Sequence, residues 1–162
     1  MKRFITVLAI VTNLILVDAI VKELAKGYLY DRECASPIIL SVIPEVFNLT
    51  FVRNYGCAWG MFQGKVWPLA IFGIVALVFL IWKRRSVFGA NKMGAVAEVL
   101  LYAGIIGNLI DRIFRGYVID MFDFHWGVHH FPCFNLADSF ICISVGLLLI
   151  DSLCQSCRKQ SR

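Results

Sequence analysis

Apolar side chains dominate four stretches of the chain, over about 4–24, 66–82, 93–110 and 136–154, and the polar positions gather between them. At 1.5 Å rise per residue, 17 to 20 residues reach roughly 25 to 30 Å, close to the hydrocarbon thickness of a bilayer. An open strand in lipid would leave its backbone N–H and C=O groups unsatisfied, so each stretch is expected to be a helix. The pattern therefore predicts four transmembrane helices.

The intervening segments differ in character. The first, about 27–65, holds Pro37, Pro44, Gly56, Gly60 and Gly64 around β-prone runs, Ile38-Ile39-Leu40 and Val46-Phe47-Asn48-Leu49-Thr50-Phe51-Val52, which predicts a small extracytoplasmic sheet. The second, 83–92, is a short link. The third, about 111–134, is expected as a loop and carries Asp120, Asp123 and all three histidines. Neither an internal repeat nor a low-complexity tract is present. The expected architecture is an all-α membrane protein, one domain over 1–162, with four transmembrane helices and a small extracytoplasmic β-rich cradle.

Composition agrees: 59% of the 162 residues are hydrophobic and 17% are charged, far from soluble norms. The net charge of +5 does not point to nucleic acid, because the basic residues form no stripe with interleaved aromatics. They sort by segment instead. Lys2 and Arg3, then Lys83, Arg84, Arg85 and Lys92, then Arg158, Lys159 and Arg162 fall in the N-terminus, the second link and the C-terminal tail, which the positive-inside rule makes cytoplasmic. Nine of the eleven acids, namely Asp18, Glu23, Asp31, Glu33, Glu45, Asp111, Asp120, Asp123 and Asp138, then face outward. Lys2-Arg3 followed by an apolar run to Val17-Asp18-Ala19 has the outline of a cleavable leader, but the run continues through Leu24 and is expected to stay as the first span.

The six cysteines do not make a disulfide framework. Cys142 falls inside a span, and Cys154 and Cys157 fall at its cytoplasmic end, where a reducing compartment disfavours bridges. A lone Cys-x-x-Cys is weak evidence for a metal or redox site. Cys34, Cys57 and Cys133 lie on the outer side, and the sequence leaves one bridge among them open.

Ionisable and amide side chains within or at the rim of a span are costly and are functional candidates by default. Asp18 and Lys22, Asn108, Asp111 and Arg112, and Asn135 and Asp138 all fall at the outer ends of three helices. If the third helix continues for one more turn, Asn108, Asp111 and Arg112 share a side. Asp138 has two readings. Asn135 is a good N-cap residue, and a carboxylate three residues later stabilises the helix start through the dipole. The alternative needs a second carboxylate, and Asp120 supplies it within Gly116-Tyr117-Val118-Ile119-Asp120-Met121-Phe122-Asp123-Phe124, where acids sit among large apolar groups as no solvated loop requires. Two carboxylates in a low-dielectric site share a proton, leaving one as base toward water and the other as acid toward a leaving amine.

Five blocks carry a family resemblance: Asp18-x-x-x-Lys22, Asn54-Tyr55-Gly56-Cys57-Ala58-Trp59-Gly60, Gly107-Asn108-Leu109-Ile110-Asp111-Arg112, Gly116 through Asp123, and Phe134-Asn135-Leu136-Ala137-Asp138-Ser139. In this order they resemble the signatures of lipoprotein signal peptidase, also called signal peptidase II, over nearly the whole chain. The resemblance implies a hydrolase of the bacterial inner membrane that cleaves lipid-modified prolipoproteins just before the diacylglyceryl-cysteine. It makes Asp120 and Asp138 the catalytic aspartates, with Asn54, Gly56, Asn108, Arg112 and Asn135 around substrate and dyad, and Asp18 and Lys22 in the first block. It also implies a periplasm-facing cradle, membrane lipids as partners and sensitivity to the cyclic peptide globomycin. Cys57 departs from the small alanine usual there, and Asp18 lacks the glutamine that often follows.

Other readings weigh less. A proton-coupled carrier using Asp18, Glu98 and Asp138 would need ionisable groups through the membrane's depth, whereas most gather at one face. A scaffold would not need five motif blocks. Asp111 and Arg115 are expected to pair at i, i+4, and Glu98 to pair with a polar group of another helix. Asp123, His125, His129, His130 and Cys133 are the one metal-like grouping, but without a His-Glu-x-x-His pattern, so neither metal nor other cofactor is expected. Ala103-x-x-x-Gly107 reads as a helix-packing face.

Overall fold

The structure, a computed structural model, describes residues 2–31 and 36–160; Glu33, Cys34 and Arg162 lie outside the described residues. In chain order the elements are α1 (Lys2–Tyr28), β1 (Tyr30–Asp31), β2 (Ser36–Pro37), β3 (Leu40–Ile43), β4 (Phe47–Asn54), a single 3-10 turn (Ala58–Gly60), α2 (Val66–Trp82), α3 (Arg84–Phe88), α4 (Lys92–Phe114), β5 (Val118–Trp126), β6 (His129–His130) and α5 (Leu136–Gln160).

Among the described residues, three helical segments are long and apolar enough to cross a membrane: Ile5–Tyr28, Lys92–Phe114 and Leu136–Cys157. The apolar α2 is shorter, 17 residues, about 25 Å at helical rise. The burial pattern inverts that of a soluble protein. Phe72, Phe79 and Trp82 on α2 and Leu149 and Leu153 on α5 are all exposed, an apolar surface of the kind that marks a membrane or protein contact.

α4 is the central helix, in contact with α1, α2 and α5. Lipid removes the hydrophobic incentive for helices to associate, so close backbone approach through small residues takes its place. Gly94, Ala97, Ala103, Gly104 and Gly107 are buried along α4. The tightest approach to α5 falls at Gly104, where a Cβ would lie 2.5 Å from the Ala137 carbonyl oxygen and 2.6 Å from the Ile141 side chain. Ser144 Oγ adds an interhelical bond to Ala97 O at 2.6 Å. The link over 83–92 contains α3, whose Arg84 pairs with the buried Glu98 of α4, an interelement partner of the kind expected.

Of the β-prone runs of the first segment, the second falls in β4 from Phe47 on, whereas Ile38 and Ile39 lie between strands and only Leu40 enters β3; nor does the sheet end there. Residues 111–134 are not a plain loop: α4 continues through Phe114, and β5 and β6 complete a four-stranded antiparallel sheet of order β3-β4-β5-β6. Acids at Asp120 and Asp123 broke the alternation that would have marked a strand, and its partner lies some seventy positions away. β4 and β5 pair with Leu49 opposite Phe122 and Val52 opposite Asp120, so β4 holds one extra residue beside Asp120. Such a bulge bends the strand and re-aims neighbouring side chains. A second core, of Ala25, Leu29, Phe51, Ile119 and Met121, fastens the end of α1 to this sheet. The carboxylate-bearing strand is thereby fixed against the helices.

Candidate active site

The site begins at the start of α5. Asn135 Oδ1 accepts the Asp138 backbone N–H at 3.0 Å, and Asp138 Oδ2 accepts the Asn135 backbone N–H at 3.2 Å, a reciprocal cap. With its oxygen so engaged, Asn135 turns its Nδ2 to Asp120 Oδ1 at 2.7 Å. Asn54, at the end of β4, donates to the other oxygen, Asp120 Oδ2, at 2.9 Å, and its Oδ1 accepts the Gly56 N–H at 2.8 Å.

Asn108 on α4 closes the arrangement. Its Oδ1 accepts from Lys22 Nζ at 3.1 Å and from Asn135 Nδ2 at 3.2 Å. An ammonium only donates, so the amide orientation is forced and Nδ2 faces Asp138 Oδ1, at 2.7 Å. Arg112, one turn on, donates to Gly56 O at 3.2 Å. A continuous path of hydrogen bonds thus runs Asp138–Asn108–Asn135–Asp120–Asn54–Gly56–Arg112, across two helices and the sheet.

Asp120 is 1% exposed. Burial, and next the charge of nearby Asp138, push its carboxyl from 3.8 to about 7, against the pull of the Asn54 and Asn135 amides. A carboxyl so raised keeps its proton above the ordinary carboxylate range. Behind the amides lies a buried ionic cluster, with Lys22 Nζ 2.7 Å from Asp18 Oδ2 and 3.0 Å from Asp111 Oδ2, and Arg115 joins Asp111 outward to the exposed Glu23.

A cavity of about 840 Å³ opens beside this network. Its walls are apolar, from Leu69 and Phe72 of α2, Ile105 and Leu109 of α4 and Ile141 of α5, and its polar wall is Asn54, Asn108, Arg112 and Asp138. Trp59 and Phe131 line it too, their rings 5.9 Å apart edge to face. The turn carrying Trp59 depends on Gly56, where a Cβ would stand 2.5 Å from the Met61 carbonyl oxygen.

Every residue singled out around the pair, namely Asn54, Gly56, Asn108, Arg112, Asn135, Asp18 and Lys22, falls in or directly behind this network. Asp111, expected to share a side with Asn108 and Arg112 and to pair with Arg115, makes that pair and also reaches Lys22. The histidines lie apart: His130 Nδ1 is 2.7 Å from Asp123 Oδ1, and among the described residues no group of three or more His, Cys, Asp or Glu is placed to hold a metal. Cys57, Cys133, Cys142, Cys154 and Cys157 are free thiols, and burial pushes that of Cys133 up to about 11.

Fold and site together define a class: a helical membrane protein with a buried carboxylate network on one wall of an apolar cavity. The profile of the family described as Signal peptidase (SPase) II matches residues 10–154. The lipoprotein signal peptidase of Syntrophotalea carbinolica is 39% identical over 153 residues, covering 93% of this chain and 92% of that protein. That of Histophilus somni is 34% identical over 166 residues, covering 98% and 92%. A solved structure described as a bacterial membrane enzyme obtained by the in meso method superposes with a TM-score of 0.82 at 32% identity, over 97% of this chain and 93% of its own. The chain belongs to the signal peptidase II family and is an aspartic peptidase.

Proposed function

We propose that this protein removes the signal peptide from diacylglyceryl-modified prolipoproteins, cutting just before the lipidated cysteine, with Asp120 and Asp138 as the acid–base pair. The observation that carries this reading is the juxtaposition of Asp138, on the polar wall of the cavity, with the almost fully buried Asp120, joined through Asn108 and Asn135. One carboxylate takes a proton from water as the water attacks the scissile carbonyl. The other gives its proton to the departing amine, so the pair ends the cycle with one proton, as it began. The four asparagine and backbone donors fix both carboxylates and let neither rotate away.

The cavity between α2, α4 and α5 suits an apolar signal segment or acyl chain, with the scissile bond carried up to Asp138. In this reading α2 is the fourth span, the sheet forms a periplasmic cradle, and both termini are cytoplasmic, as the sorting of basic residues supports. The domain is single over 1–162, the location is the bacterial inner membrane, lipids are partners, and globomycin is an inhibitor. A carrier reading gains nothing from the structure, since Glu98 is tied to Arg84 about three turns along α4 from Asn108.

The test is cleavage in detergent of a prolipoprotein, lipid-modified and unmodified, by wild type, Asp120→Asn and Asp138→Asn. Each substitution is expected to lower kcat by about 100-fold or more, within the range of general acid–base catalysis, in protein that still unfolds cooperatively. Full activity in either variant would remove the assignment, and equal rates on both substrate forms would remove the lipid specificity.

A further inference from the structure

Lys22 is 0% exposed, and a lysine so buried is sustained only by partners that take up its charge and all its donors. It has three. Nζ lies 2.7 Å from Asp18 Oδ2, 3.0 Å from Asp111 Oδ2 and 3.1 Å from Asn108 Oδ1, one for each ammonium N–H.

What those partners hold in turn is more informative. Asp18 Oδ1 accepts the backbone N–H of Ala137 at 3.0 Å, and Ala137 precedes Asp138. Asp111 Oδ2 accepts the backbone N–H of Ile119 at 3.2 Å, and Ile119 precedes Asp120. Asn108 Nδ2 donates to Asp138 itself at 2.7 Å. Two carboxylates bound to one cation therefore each grip the main chain one residue before a member of the pair. At Gly107 a Cβ would lie 2.9 Å from Asp18 Oδ2, so α4 leaves space for that carboxylate.

We propose that Lys22 is a positioning residue for the reaction: by clamping Asp18 and Asp111 it sets the separation of the strand bearing Asp120 and the helix bearing Asp138. This rests on the reading of that pair as catalytic. The alternative is plain adhesion, in which the cluster only holds α1 to α4. The two differ in what they predict. Adhesion governs how much enzyme is folded; positioning governs the turnover of folded enzyme and the protonation of the pair, because the charge of Lys22 acts on Asp120. The groups around that ammonium are Asp18 on α1, Asn108 and Asp111 on α4, and beyond them Arg112, Asp120 and Asp138.

Removing Lys22 alone leaves the buried Asp18 without a counter-charge and invites unfolding. The informative variant is therefore Asp18→Asn/Lys22→Met, which removes one charge of each sign, assayed as full-length protein in detergent on lipid-modified prolipoprotein beside Asp120→Asn and Asp138→Asn. In folded protein kcat is expected to drop about 100-fold with KM within about twofold, a loss typical of small misplacement of reacting groups. Both limbs of the pH–rate profile should move to higher pH, because of the two charges removed it is that of Lys22 that acts on Asp120. Lys22→Arg keeps the charge but replaces the compact ammonium with a longer, planar guanidinium. It should lower kcat while leaving the limbs in place, and it serves if the double variant does not fold. Wild-type kcat in the double variant or in Lys22→Arg, or a uniform loss matched by the fraction unfolded with limbs unmoved, would overturn positioning. If instead Asp120→Asn or Asp138→Asn stays active, it is the catalytic assignment that fails.

Discussion

Asn135 and Asp138 hold one another at the start of α5, each accepting the other's backbone N–H, at 3.0 and 3.2 Å. Cap and site are therefore one structure. The bond that fixes the Asn135 oxygen directs its nitrogen at Asp120, so the helix start that orders Asp138 also orders the second carboxylate. Of the two readings of Asp138 offered by the sequence, the cap is present in the structure, and the proposed pairing with Asp120 is built on it.

Asn135→Ser separates the two duties, because serine caps a helix but is too short to reach Asp120. It should keep the cap, whose loss in Asn135→Ala costs about 0.5–2 kcal/mol, while both variants lose the Nδ2 bonds and most turnover. Thermal unfolding and cleavage rates on the same preparations decide it; a serine variant with wild-type turnover would show that the Asp120 contact is dispensable.

The carboxyl of Asp120 stands at about 7 rather than 3.8. A folded-state value above the unfolded one means that the native state binds the proton more tightly. The associated stability is complete below about pH 3.8 and is lost as pH rises through about 7. Cleavage, which needs one proton on the pair, should decline above about pH 7, and Asp120→Asn should flatten the fall in unfolding temperature between about pH 4 and 7. A rate constant to pH 9 would contradict this.

Gly56→Ala should nearly abolish cleavage, because its Cβ would meet the Met61 carbonyl at 2.5 Å and the Phe62-Gln63 backbone at 3.0–3.1 Å. Backbone cannot swing aside as a side-chain tip can. The turn, and with it the bonds from Gly56 to Asn54 and Arg112, has to shift, so the loss should appear in kcat. Unchanged kinetics would mean that this turn does not shape the site.

Gly107→Ala is a milder probe, since its Cβ would press on the Asp18 carboxylate at 2.9 Å and the Ala137 Cβ at 3.3 Å. We expect a partial loss of kcat in protein of nearly native unfolding temperature. Loss of the folded state without any change in the turnover of what remains would assign Gly107 to packing alone.

Much of the site was legible because its residues sit at helix ends, where sequence position fixes depth in the bilayer and spacing fixes face. Asn108, Asp111 and Arg112 share a side because α4 runs on to Phe114, and Asp18 and Lys22 lie one turn apart. β5 escaped notice for the opposite reason. A strand is recognised by alternation and by its partner, and Asp120 disturbs the first while β4 lies far upstream.

Hydropathy along the chain was enough to define membrane-length helices, and the sorting of charge was enough to gather the acids, because both depend on each residue's own transfer free energy. Which acids meet is another matter. That Asp120 faces Asn54 and Asn135, that Asp111 grips Ile119, and that one lysine lies between Asp18 and Asp111 follow from β4–β5 register and helix packing. Those contacts join residues from tens to more than a hundred positions apart, and only the folded chain brings them within reach of a hydrogen bond.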